Sequence, residues 1–583
     1  MSNRAIGYLS RYLRARPVCV TVTFQSRRTY TPKRIFDTRI EDYLKNIEEK
    51  IGMKNHNQGF RAKGSDRQKK QKRGGDYNFG KGEDPEEALQ IDINRLLESA
   101  RKERDSSKSP ADTQPSELPQ LFSELDVTIS STSSSGDGLA LSEDGSRVYV
   151  VPFTIPGDKA TIKVVRHLVK ENHSITDLIK VNEPGPGRDD SLIKCQYFGE
   201  CSGCQLQMLP YEEQLKYKKK SVEKAYANFS GLIPEVIPTI GDTFPSPLQY
   251  GYRTKLTPHY AAPPKRSKNA YPESSGYTKP PAIGFNIKNR RTNVDIEDCP
   301  LGTDIIRKGL KKERARVLRN YEQYHNGATI LLRQSTSRLK KDNYDPENPP
   351  HDDTVAIYKD HPEYVEEQRY VTNQNGYSTD YIDDFILGNK AGAFFQNNNS
   401  ILSPFTEYIR QQIHPKTPRE NEKPIKYLID AYSGCGLFTV TLSTAFKSSL
   451  GIDIDVNSIE CARDNARKNN LPNTGFAAAD APLLFNRVPY PPDETFLVID
   501  PPRKGCSEDF LKQLLKFGPR RVAYVSCNVH TQARDVGYMV EGNSNSRYEI
   551  ESIRGFDFFP QTSHVEGLAI LNKVPKDTPS EEK

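Results

Sequence analysis

The sequence predicts an α/β protein in which a doubly wound, mostly parallel sheet follows a middle α/β domain and a small β-barrel. Three observations predict it. Short apolar runs at 426–430, 451–454, 476–480, 496–499 and 522–525 alternate with stretches of helical length, the pattern of strands buried between helices. Each run ends near polar residues or glycine, which places those residues on one rim of the sheet, the usual ligand crevice of open α/β folds. Far upstream, the runs 127–130, 147–153 and 160–169 are short, β-rich and separated by Gly, Asp and Ser, so that 124–190 reads as one antiparallel barrel.

The chain has 583 residues, 35% hydrophobic and 27% charged, enough for several domains with a core in each. Residues 1–123 read as a mostly flexible extension. Arg4, Arg11, Arg14, Arg16, Arg27, Arg28, Lys33 and Arg34 precede the first acid, Asp37, which is the composition of a mitochondrial presequence or of a basic nucleic-acid arm. The expected location is the mitochondrion, the nucleus and cytoplasm, or both. Residues 54–73 concentrate Lys and Arg around Asp66, which suits a phosphate backbone and equally a solvated tail. Helices are expected near 37–50 and 86–104, with a proline-bearing linker at 106–119. A chain beginning near residue 120 is therefore expected to keep its chemistry. Within the barrel, 136–140 and 156–158 read as turns; such a barrel offers a basic face to RNA or acts as a spacer. No apolar window reaches membrane-spanning length, so no membrane partner is expected.

The central domain, 191–385, opens on Cys195, Cys201 and Cys204 in C-x5-C-x2-C spacing, with Cys299 just before Pro300. Nine cysteines in so long a chain do not make a secreted disulfide scaffold. Three close thiols and a distant fourth suit a metal centre, iron–sulfur first and zinc second, unless they are unliganded structural thiols. Residues 211–229 have helical periodicity, 250–255 and 282–285 read as strands, 259–280 as a surface loop and 341–367 as an acidic insertion.

The candidate chemistry sits in 386–583. The glycine-rich turn 431–438 holds Gly434 and Gly436, which let the backbone approach a ligand, and the next strand delivers Asp453 to where an acid binds ribose hydroxyls. The third strand ends at Asp480. The fourth delivers Asp500, stiffened by Pro501 and Pro502, and the fifth delivers Ser526, Cys527 and Asn528. A thiolate at Cys527, an orienting acid at Asp500 and a proton acceptor at Glu566 suggest covalent chemistry on an electron-poor ring; an inert buried cysteine is the alternative.

These residues resemble the uracil-5 carbon methyltransferases of RNA. The match runs through Phe394-Phe-Gln396-x-Asn398, Tyr432-Ser-Gly434-x-Gly436, Asp500-Pro-Pro-Arg-Lys-Gly505, Ser526-Cys-Asn528 with Thr531 and Arg534-Asp535, and Phe559-Pro560 followed by His564-Val-Glu566. The resemblance implies a Rossmann-like S-adenosylmethionine domain, a TRAM-like barrel that holds RNA, and a [4Fe-4S] cluster on the four cysteines. By the same motifs, Cys527 adds to C6 of uracil, Glu566 removes the C5 proton and Asp500 hydrogen-bonds near the reacting groups. Gln396, Tyr432, Gly434, Gly436, Asp453, Asp480 and Asp500 meet the methyl donor. Val529 stands where the family commonly has proline. The whole combination looks like the fungal tRNA members, which act on uridine 54 of the T loop. Ribosomal RNA as substrate and a non-enzymatic RNA-folding role are the competing readings.

Overall fold

The computed structural model describes residues 80–106, 117–263, 277–417, 419, 422–479, 485 and 488–575. Asp480, the presequence-like run 1–36, the basic block 54–73, the helix expected near 37–50, most of the linker 106–119 and most of the loop 259–280 lie outside them. No helix among the described residues is long and apolar enough to cross a membrane.

The chain enters through the helix Pro85–Ser106, close to its expected span. A closed barrel follows, built from β1 (Glu124–Thr132), β2 (Gly138–Leu141), β3 (Val148–Val151), β4 (Lys159–Leu168) and β5 (His173–Glu183). Two expectations are corrected here. Residues 138–140 of the expected turn 136–140 belong to a strand, because Gly138, Leu139 and Ala140 pair on both sides, with β1 and β3. The barrel is also not wholly antiparallel, since β3 and β5 run parallel, the five-stranded closure requiring one such pair.

The helix Tyr211–Phe229 occupies the range its periodicity predicts and buries Val222, Ala225, Tyr226 and Phe229. Next, β6 (Gly241–Phe244) leaves the central region and becomes the edge strand of the C-terminal sheet, parallel to the strand 548–556. The predicted strand at 250–255 shrinks to β7 (Lys255–Leu256), because Arg253 and Thr254 spend their backbone N–H groups on Leu301 and Asn397. Two small sheets fill the middle. One has the order β10 (Asn293–Asp295), β9 (Gly284–Asn286), β8 (His259–Tyr260) and β11 (Ala328–Thr329), and packs on the helix Asp304–Asn320.

In the other, β12 (Leu332–Lys340) lies between β7 and β14 (Tyr364–Val371), and β13 (Ala356–Asp360) covers the edge. The span 341–367 is therefore not merely an excursion. Three of its acids sit on strands: Asp360 ends β13 and is exposed, while on β14 Glu366 is partly exposed and Glu367 is buried against His351 and Tyr358. A hairpin of β15 (Tyr377–Ile382) and β16 (Phe385–Lys390) leads to the C-terminal sheet.

That sheet comprises β17 (Tyr427–Ala431), β18 (Ser448–Asp453), β19 (Thr474–Ala478), β20 (Thr495–Ile499), β21 (Arg521–Ser526), β22 (Tyr548–Phe556) and β23 (Glu566–Lys573), in the order β19-β18-β17-β20-β21-β23-β22-β6. β20 and β21 are buried at every residue, as continuous apolar strands between two helical layers must be. β23 inserts antiparallel beside β21. Strand order reverses at β17, which pairs with both β18 and β20, so the crevice opens above Ala431 and Ile499.

Candidate active site

Strand register brings the candidate reacting groups together. In the antiparallel β21/β23 pair Ser526 lies opposite Gly567, so Cys527, one residue beyond β21, meets Glu566, the first residue of β23. In the parallel β20/β21 pair Ile499 lies beside Tyr524, so Asp500 leaves its strand beside the same point. Burial pushes the Cys527 thiol up to about 12, and the negative charges of Glu566 and Asp500 reinforce the shift. Arg503 opposes it, by its charge and by a hydrogen bond to the sulfur. Glu566 is 1% exposed and neither of its carboxylate oxygens has a hydrogen-bond partner. Burial, with Asp500 second, holds its proton affinity well above the usual carboxylate range. The site thus stores two proton-hungry carboxyls and a thiol in a space that disfavours charge.

The loop carrying Asp500 is clamped by the helix Val529–Glu541. Asn528 caps that helix by accepting from the His530 N–H, and its Nδ2 donates to the Arg503 carbonyl at 2.9 Å. Thr531 Oγ1 donates to the same oxygen, Arg534 Nη2 donates to Lys504 O, and the Cys506 N–H donates to Asp535 Oδ2 at 2.7 Å. Gly505 takes φ +76°, and a Cβ there would lie 2.5 Å from Arg534 Nη2. The motif residues Thr531, Arg534 and Asp535 therefore hold the other motif's backbone. Val529 is the first residue of this helix and is buried, so the absence of proline leaves the cap intact.

A second clamp aims Glu566. Lys218 and Asp557 form a buried ion pair, Lys218 Nζ donates to Phe559 O at 2.9 Å, and Tyr252 OH donates to Pro560 O at 3.0 Å. Gln205 and Leu206 donate their N–H groups to Gln561 O, so the segment just after Cys204 grips the turn that feeds β23. Asn398 Nδ2 donates to Phe558 O at 3.2 Å, which docks the link containing the buried Gln396 on the same turn.

The donor side lies at the β17 rim. Tyr432 has φ +63° and Gly434 φ +53°, and the Gly434 N–H donates to Asp453 Oδ2 at 2.9 Å. Gly436, at φ +89°, passes 3.2 Å from Ala462 and Phe476 measured from a built Cβ. Asp453 thus shapes the loop as well as facing the crevice. Sequence reasoning missed Asp430. This fully buried acid accepts from Thr439 N and Oγ1 through Oδ2, while its Oδ1 and the neighbouring Ser433 Oγ are buried without partners. Burial pushes Asp430 up to about 7, and the charge of Asp453 adds to this. Asp430 in turn raises Asp500, after burial, so one line of acids runs from the glycine loop to Cys527. Orphaned acceptors beside a strained, glycine-lined turn fit a polar, cationic ligand such as S-adenosylmethionine.

Cys195, Cys201, Cys204 and Cys299 form no disulfides and line one cavity of about 160 Å³ with Tyr197, Phe198 and Arg253. No group of three or more His, Cys, Asp or Glu among the described residues is placed to hold a metal ion.

Residues 492–574 match the family described as tRNA (Uracil-5-)-methyltransferase, and residues 120–168 match the TRAM domain. The chain is 43% identical over 457 residues to the tRNA (uracil(54)-C(5))-methyltransferase of Schizosaccharomyces pombe, covering 78% of this chain and 79% of that protein. The chain belongs to that family. It is an S-adenosylmethionine-dependent RNA (uracil-C5)-methyltransferase, and its barrel is a TRAM domain. The protein of the same description in Saccharomyces cerevisiae is 36% identical over 535 residues, covering 84% of this methyltransferase and 81% of that one. The fold is shared with the Pyrococcus abyssi tRNA (uracil-54, C5)-methyltransferase solved with S-adenosyl-L-homocysteine, at a TM-score of 0.51, 23% identity and coverage of 77% of this chain and 100% of that one.

Proposed function

We propose that this methyltransferase converts uridine 54 in the T loop of tRNA to 5-methyluridine through a covalent bond between Cys527 Sγ and C6 of the base. The observation that carries the mechanism is the register that sets Cys527, Asp500 and Glu566 around one buried point. The bound donor supplies an electrophilic methyl group on sulfonium sulfur. Cys527 releases its proton to solvent and its sulfur adds to C6, with the Arg503 guanidinium compensating the sulfur's negative charge, and the C5–C6 electron pair moves to C5. C5 then takes the methyl group. Glu566, a stronger base for being buried, removes the C5 proton, the electrons return to the ring, and the S–C6 bond breaks. Asp500 orients the base by hydrogen bonding. The target must leave its stack to reach this depth. The position in tRNA rests on the likeness to the two fungal tRNA (uracil(54)-C(5))-methyltransferases.

RNA carrying 5-fluorouridine tests this, because fluorine cannot leave C5 as a cation. With methyl donor it is expected to trap a stable protein–RNA band that Cys527→Ala abolishes; an undiminished band in that variant overturns the assignment. Loss of 5-methyluridine from rRNA rather than tRNA in a deletion strain overturns the substrate.

The four cysteines are proposed to hold a [4Fe-4S] cluster. Their lining of one cavity supports a common ligand, and four thiols suit an iron–sulfur cluster first and zinc second. Anaerobic protein should contain iron and acid-labile sulfide at about four each per chain. Zinc without sulfide refutes it. Mitochondrial delivery is likewise a proposal, supported by the acid-free, Arg-rich run 1–36 and checked by fusing residues 1–40 to a reporter.

A further inference from the structure

The extension ahead of the barrel reaches the catalytic loop. Asn528 Nδ2, which holds the Arg503 carbonyl at 2.9 Å, also donates to the Gly82 carbonyl at 3.0 Å. Arg534 Nη1 donates to Lys81 O at 3.2 Å and lies 3.7 Å from Glu83. Gly82 is buried at φ +80°, where a Cβ would stand 3.1 Å from the His530 backbone carbon and 3.2 Å from Phe229. Lys81 Nζ lies over the Phe229 ring at 5.6 Å.

The helix that follows is tied to the TRAM barrel. Ile93 and Leu97 pack with Leu139, Val148 and Val150, and Ala88 joins the main core. Asp92, 5% exposed, accepts from the Ser134 N–H at 2.6 Å and from Ser134 Oγ at 2.7 Å, and pairs with Lys224 at 2.9 Å.

We propose that residues 81–106 are a positioning strap. They bridge the RNA-holding barrel to the Ser526-Cys527-Asn528 turn and keep Asn528, and through it the Arg503 backbone, in place for attack by Cys527. The proposal rests on the covalent mechanism above. It also reverses the sequence-based expectation that a chain starting near residue 120 keeps its chemistry. The physical reason is that an amide with two N–H donors bridges two carbonyls only if both are present. Without Gly82 O one donor is left unpaired, and the helix cap and the Arg503 loop lose a common restraint.

The test uses the full chain. Gly82→Val adds a β-branched side chain at positive φ against the His530 backbone, and Asn528→Asp keeps the cap acceptor while removing both donations. For Gly82→Val we expect tRNA affinity within twofold of the parent, while kcat and the rate of adduct formation with 5-fluorouridine RNA both fall at least tenfold. The pH profile of Cys527 alkylation by iodoacetamide should also shift. The two variants combined should lose little more than Asn528→Asp alone, since Asn528→Asp already removes the Gly82 contact that Gly82→Val disturbs. If Gly82→Val does not fold, Asp92→Asn, which loosens the strap at its far end, is expected to show the same kcat-selective loss. Unchanged adduct formation, an effect confined to RNA affinity, or additive losses each overturn the strap. Absence of any adduct with the unmodified protein overturns the covalent reading itself, so the two failures are distinct.

Discussion

At the scale of single residues, chemistry here depends on withholding solvent. Glu566 carries two unpartnered buried oxygens, and burial raises its proton affinity, which is what the proposed role as base requires. Glu566→Gln keeps the shape and removes the basicity, so it should accumulate the methylated covalent complex on ordinary tRNA, with release slowed by roughly 10²- to 10⁴-fold. Normal turnover would exclude proton abstraction by this group. Asp430 gives a prediction in stability. Its folded-state pKa is raised to about 7, above the ordinary 3.8, so between these values the folded chain holds a proton that the unfolded chain has released. Stability therefore falls as pH rises from about 4 to 7. Asp430→Asn can still accept from Thr439 and lacks that loss. Its melting temperature relative to the parent should rise across this window, by a free energy of a few kcal/mol at about 1.4 per pKa unit. A pH-independent difference between the two proteins would contradict the assignment.

At the scale of elements, two motifs distant in sequence form one device. The helix Val529–Glu541 grips the 503–506 turn through Asn528, Thr531, Arg534 and Asp535, and Gly505 is the position that lets the two come this close. Gly505→Ala forces a Cβ against Arg534 and Asp535 at positive φ. It is expected to cost about 1–3 kcal/mol of stability and to lower kcat more than tRNA affinity. Unfolding titrations and single-turnover rates measure the two effects separately. The motif was legible in the sequence as a run of letters. Its clamping role was not, because a hydrogen bond from Thr531 to Arg503 has no local signature.

At the scale of the whole molecule, the barrel, the cysteine segment and the C-terminal sheet are not independent modules. Gln205 and Leu206 hold the turn before β23, β6 completes the sheet edge, and the extension touches Asn528. Protein starting at residue 79 should keep kcat on saturating tRNA and show a shallower salt dependence of binding, because Lys and Arg of 54–73 no longer release counterions. Protein starting at residue 120 should lose kcat. Comparing the two by steady-state kinetics across salt concentrations separates phosphate attraction from positioning.

The amino-acid sequence alone determined the α/β class, the helix Tyr211–Phe229, the buried strands β17 to β21 and the rim residues Cys527, Asp500 and Asp453. Those features are periodic or local: runs of apolar residues, glycines in a turn, acids at strand ends. Tertiary structure decided the rest. The insertion of β23 beside β21 brings Glu566 to Cys527, strand packing leaves Asp430 without solvent, and the 81–106 strap meets Asn528 from the opposite end of the chain. Each of these depends on a long-range approach and on the water it excludes, quantities that no stretch of neighbouring residues encodes by itself.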